Sequence, residues 1–167
     1  EKPASVLGVL AVVAEESQAL TLVELARTQR EELGLQALEY FDHDALTLLK
    51  QKKTEDGPGS HIPEIPSWDG AAIYLELAGT EEETEAACEP LEEILSQAGS
   101  SLDETWAAME SDELERQKLF RHAVPEAVNS LIGQRKAQIP ELHKVGTDMS
   151  VPNEKLREVF SLYRQGL

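Results

Sequence analysis

At 167 residues and 41% hydrophobic, the chain is long enough for one domain with a proper core and too apolar for general disorder. Its formal charge of −17, from 32 acidic and 15 basic residues, argues against a nucleic-acid duplex or an anionic membrane surface as partner, because both need a basic face. A single cysteine, Cys88, forms no internal disulfide and fits a reducing, cytoplasmic compartment, and no apolar run reaches the ~20 residues that span a bilayer.

Taken in order, Ser5 to Ala14 is rich in branched residues without helical period and predicts a buried strand. Glu15 to Arg30 carries Ala19, Leu20, Leu22, Val23, Leu25 and Ala26 on one helical face, with Gly34 as the stop. Leu35 to Phe41 predicts a second strand. Asp42 then caps a short helix from His43 to about Lys52. The prolines and glycines between Lys53 and Gly70 predict a long loop, of the kind that is often functional or mobile. Ala71 to Leu77 alternates and predicts a third strand. Thr80 and Glu83 form a capping box opening a helix to about Gln97, which Gly99 ends. A fourth strand is expected over Leu102 to Met109. From Ser111 a long helix follows, and Asn153 is placed to cap a last one, Glu154 to Arg164.

The order β-α-β-β-α-β predicts an α+β, ferredoxin-like antiparallel sheet as core over residues 1–110, with a helical extension over 111–167 in the same single domain. Two helices would cover one sheet face. The long helix or a neighbouring domain would have to cover the other.

The stretch most informative about function lies between Leu119 and Pro152. Phe120, Val124, Ala127, Val128 and Leu131 recur at helical spacing, and Pro125 predicts a kink at Arg121, whose carbonyl loses its donor. Arg121 and Lys144 are the two cations here that suit a carboxylate, the first by its planar fork and the second as a point charge. Both would serve equally as surface cations among so many acids. His122 and Glu126, four apart, form either a solvated pair or an acid–base couple. Asp148 and Ser150 lie in a polar loop ahead of Pro152, where an Asx-turn is an alternative to a site role. His43, His61 and His143 show no metal-ligand spacing, so no metal is expected. No phosphate-binding glycine motif is present.

The run Phe120-Arg121, Lys144 and Asp148-Met149-Ser150-Val151-Pro152 resembles the C-terminal substrate (cap) domain of the flavin-dependent 2-hydroxy-acid oxidoreductases, the glycolate oxidase, D-lactate dehydrogenase and D-2-hydroxyglutarate dehydrogenase type. Members carry an arginine on a helix, a lysine in the loop after it, and Asp-x-(Ser/Ala)-x-Pro. Glu39-x-x-Asp42 resembles their early Glu-x-x-Asp. Phe120 stands where the family usually has tryptophan. The resemblance implies that the chain, beginning at Glu1, is a piece of a longer enzyme that passes hydride from a small hydroxy acid to FAD. Arg121 and Lys144 would bind the substrate carboxylate, and Asp148 and Ser150 would order the site loop. FAD would be held mainly by a flavin-binding domain of the same polypeptide, so none is expected on this chain. The family's later segment with two histidines, which supplies the catalytic base or metal ligands, would lie beyond Leu167. The alternative is a free-standing ferredoxin-like module that binds a partner or forms a homodimer through an open sheet face.

Overall fold

A computed structural model describes residues 3–146 and 150–166. Strands β1 (Ser5–Val13), β2 (Leu35–Phe41), β3 (Ala71–Gly79) and β4 (Trp106–Ala108) form one antiparallel sheet in the order β2-β3-β1-β4. With helix α1 (Glu16–Thr28) between the first two strands and helices before the fourth, this is the α+β, ferredoxin-like arrangement the element order predicts.

Four boundaries differ from expectation, each for a local reason. The fourth strand is only Trp106–Ala108. Leu102–Glu104 instead closes a 3₁₀ turn in which Thr105 Oγ1 donates to the Leu102 carbonyl at 2.7 Å, and its acids have little preference for a strand. Helix α2 (His43–Asp56) runs past Lys52, because Lys50 to Lys53 are good helix formers and the first stop is Gly57 at φ 61°. The helix expected from Thr80 to Gln97 is two pieces, α3 (Glu81–Ala86) and α4 (Cys88–Gln97). Pro90 explains the break: it has no N–H to give the Ala86 carbonyl. Last, Asn153 does not cap the final helix. It begins a 3₁₀ turn, Asn153–Lys155, that leads into α6 (Leu156–Gly166), and its side-chain oxygen is buried without a partner.

Other start and stop signals act as read. Asp42 Oδ1 accepts the Ala45 N–H at 2.8 Å, and Thr80 and Glu83 cap each other reciprocally. Gly34, at φ 60°, sits against the Ala78 carbonyl and accepts the Ala78 N–H, so a side chain there would be both strained and crowded. The stretch after α2 is pinned rather than loose: Ile62 and Ile65 are buried, and Lys53 Nζ donates to the Ile62 carbonyl at 2.6 Å.

Strand alternation divides the core in two. Leu7, Val9 and Val13 of β1 and Ile73, Leu75 and Leu77 of β3 face α1 and α4, whose Leu22, Leu91 and Ile94 are fully buried against them. Each such side chain contributes roughly 1.5–3 kcal/mol on burial. The opposite face presents Leu10, Ala72, Tyr74 and Phe41 to α2 and to the long helix α5 (Ser111–Lys136), from which Phe120, Ala123 and Ala127 enter. Pro125 lies inside α5 without ending it. Both sheet faces are therefore covered by this chain's own helices, the second by the long helix, one of the two covers expected for it. Helix α6 returns to the first face, with Phe160 edge-on to Tyr40 at 5.0 Å and Arg157 and Arg164 bound to Glu24 and Glu16.

Candidate functional site

The second face of the sheet is apolar on one side and polar on the other. Register sets the polar side. Glu39 of β2 lies directly across from Tyr74 of β3, and one row further on Gly8 of β1 lies across from Glu76. Strand periodicity turns all four toward α5. Two polar side chains of that helix, one turn apart, meet them: Gln117 and Arg121.

Gly8 makes the first meeting possible. A Cβ there would collide with Gln117 Oε1. In its absence Gln117 lies fully buried, its Nε2 donating to the Gly8 carbonyl at 3.2 Å and to the Trp106 carbonyl at 2.7 Å. Its Oε1 is buried without a partner.

Arg121 is the centre of the second. Nε and Nη2 donate to a single oxygen, Glu39 Oε1, at 2.9 and 2.5 Å, and Nη1 reaches Glu76 Oε2 at 3.4 Å. The guanidinium lies 4.5 Å from the centroid of the Tyr74 ring. The Tyr74 hydroxyl donates to Glu76 Oε2 at 3.2 Å. The hydrogen bonds to Glu39 raise the guanidinium's affinity for its proton above the ordinary arginine range, against the cost of burial. Burial, with Glu76 beside it, pushes the Tyr74 phenol up to about 12, Arg121 opposing in part.

Arg121 also lines a cleft of about 510 Å³ with Glu39, Tyr40, Phe41, Asp42, Ala45, His122, Val124 and Pro125. Among the described residues it is the only arginine or lysine of that lining, and Arg164 reaches the lining residue Asp42 at 3.7 Å. The Arg121 side chain keeps 23% of its exposure and that of Glu39 38%, so the pair sits at a rim, half in the fold and half in the cleft.

The other expected site residues are placed differently. Lys144 is exposed, its Nζ 3.5 Å from Asn129 Oδ1. Asn129 lies eight residues along α5 from Arg121, about 12 Å of helix rise, so the two cations do not converge on one small anion here. Ser150 is exposed on the segment before α6, and Asp148 lies outside the described residues. Glu126 pairs with His61, 3.5 Å away, and not with His122, which lines the cleft instead. Among the described residues no group of three His, Cys, Asp or Glu side chains is placed to hold a metal ion, and no helix is long and apolar enough to cross a membrane.

A family model described as FAD linked oxidases, C-terminal domain, matches residues 2–166. The chain belongs to that family. No curated protein matched it closely enough to count as a relative. As an FAD-linked oxidase C-terminal domain it is part of an oxidoreductase that works with FAD.

Among the described residues the helix N-termini do not suit the flavin's pyrophosphate. A helix N-terminus offers free N–H groups to phosphate, but all six α-helices described here carry an acid in their first turn. Of the glycines at positive φ, Gly34 and Gly70 lie against this chain's own backbone and Gly99 against the Gln18 side chain, while Gly57 is open but directly follows Glu55 and Asp56.

Sequence reasoning missed Tyr74, Glu76 and Gln117. Period-two alternation puts Tyr74 and Glu76 on the face of Ala72, away from Ile73 and Leu75, and a glutamate inside an otherwise apolar strand was the available signal.

Proposed function

We propose that this domain supplies substrate recognition in a flavin-dependent oxidoreductase acting on a small 2-hydroxy acid, with Arg121 receiving the substrate carboxylate in the cleft between β2 and α5. The observation that carries the reading is that Arg121, among the described residues, is the only arginine or lysine lining that cleft and stands at its rim. A hydroxy-acid anion in a partly desolvated site needs charged donors of fixed direction, and a guanidinium supplies two parallel ones. Lys144 enters this reading as a second, more distant charge, carried with Asp148 and Ser150 on the segment after α5. FAD comes from a flavin-binding domain of the same polypeptide.

Steady-state kinetics of the intact enzyme with glycolate, D-lactate and D-2-hydroxyglutarate, using a dye as electron acceptor, tests the assignment. Arg121→Ala lowers kcat/KM about tenfold to a hundredfold, the ~1.5–3 kcal/mol of a charged hydrogen bond. Arg121→Lys does nearly the same, since it keeps the charge and loses the fork. Normal turnover by a folded Arg121→Ala enzyme would sink the reading.

One observation favours a second reading. Three of the five guanidinium N–H groups already point at Glu39 and Glu76. In that reading Arg121 ties α5 to the sheet and binds nothing. Its signature is a large loss of melting temperature in Arg121→Ala with kcat/KM unchanged.

A further inference from the structure

The cluster around Arg121 is not a simple positive site. Glu39 and Glu76 both contact the guanidinium, and Asp42 lines the same cleft. The cleft lining sets two acids, Glu39 and Asp42, beside Arg121, and Arg164 reaches Asp42 from α6 at 3.7 Å. A carboxylate entering here meets acids as well as the guanidinium, so directional hydrogen bonds must add what charge alone does not. Direction is what the surroundings of Arg121 provide. Glu39 Oε1 takes the edge formed by Nε and Nη2, Glu76 touches Nη1 from the next row of the sheet, and the Tyr74 ring lies 4.5 Å from the guanidinium carbon. Five N–H groups less three leaves one on each terminal nitrogen, Nη1 and Nη2.

We propose that Glu39 is a positioning residue: by holding the Nε–Nη2 edge of Arg121 it fixes the guanidinium so that its remaining terminal N–H groups meet a ligand carboxylate in the cleft. The inference rests on the function proposed above. It makes the ion pair part of recognition, where the second reading makes it a structural tie. It also explains why recognition tolerates an acidic lining. A rigid fork selects a planar carboxylate by geometry, and the nearby acids disfavour a bulkier or more highly charged anion. Glu39 itself touches no reacting atom.

The test compares parent, Glu39→Gln, Arg121→Ala and the double variant of the intact enzyme, on whichever of glycolate, D-lactate or D-2-hydroxyglutarate the parent oxidises fastest. Glu39→Gln raises KM about tenfold and leaves kcat within about twofold, while adding nothing on the Arg121→Ala background, because the two act as a unit. In parallel, the ¹H–¹⁵N signal of Arg121 Nε in the 167-residue chain, slowly exchanging in the parent, is lost to rapid exchange in Glu39→Gln. If Glu39→Gln does not fold, Glu39→Asp, which keeps the charge on a shorter arm, takes its place with the same expected rise in KM. Parent-like activity of Arg121→Ala overturns the proposed function whatever Glu39 does. Impaired Arg121→Ala beside a Glu39→Gln of unchanged KM leaves that function standing and overturns the positioning role. A lower KM in Glu39→Gln also overturns it, since Glu39 would then be competing with the substrate for the fork.

Discussion

The two faces of the sheet are built from the same strands and do different work. Toward α1 and α4 the side chains that β1 and β3 present from Leu7 to Val13 and from Ala71 to Leu77 are aliphatic, and Val9, Ile73, Leu75 and Leu77 are closed off from water. Toward α5 the same two strands contribute a glycine, a tyrosine and a glutamate, and the helix answers with Gln117 and Arg121. The first face is held by area removed from water, which is indifferent to direction. The second has an apolar cluster of its own and adds to it hydrogen bonds and an ion pair at a rim, which are worth less to stability and more to placement. Under the role proposed for Arg121, a domain that presents one cation at a fixed angle gains by assigning more of its stability to one side and its geometry to the other.

That division is open to measurement. The largest effect is expected on the dry face. Leu75→Ala should lose about 2–5 kcal/mol in urea unfolding, with the Arg121 Nε signal unmoved. A loss below 1 kcal/mol would mean that this face is not the stabilising one. On the polar face Gly8→Ala is expected to cost about 1–3 kcal/mol, since the new methyl displaces Gln117 Oε1. Combining it with Gln117→Ala should recover part of that cost, and strict additivity would show that Gly8 is not there to admit Gln117.

The smallest effect is a pH slope. Tyr74 is held neutral in the fold, with its phenol raised to about 12 from the ordinary value near 10. The stabilisation this represents is complete below pH 10 and is lost as the pH climbs toward 12, because the unfolded chain gives up that proton first. Tyr74→Phe has no proton to lose. Its melting temperature should therefore fall by a few degrees less than the parent's between pH 10 and 12. Parallel melting curves across that interval would place Tyr74 in water.

Most of the fold was legible because its signals are local. Asp42, Thr80 with Glu83, and Gly99 act within a turn of themselves, and β1, β2 and β3 announced their composition. The misreadings also have local causes, in the acids of Leu102–Glu104 and in Pro90. The site was legible only in part. Arg121 could be singled out as a cation on a helix, but its partners Glu39 and Glu76 lie 82 and 45 residues away, brought there by strand register. No spacing rule reports that, because register is settled by the whole sheet. Glu126 shows the same difficulty in reverse: four residues from His122, it is taken instead by His61 from the stretch after α2.

The strand order has a consequence for how the chain acquires this shape on the ribosome. β1 is made first and lies inside the sheet, yet it pairs only with β3 and β4, and β2 pairs only with β3. Until Ala71–Gly79 emerges, two apolar strands have no backbone partner, and Val9 waits for Leu75 across some 66 residues of chain. Pairings so far apart form slowly, because the loop must close before any contact rewards it. Synthesis of β3 is therefore the event that converts the growing chain from helices with loose strands into a sheet, and a pause just before Ala71 would lengthen the time for which β1 and β2 stand open to other strands.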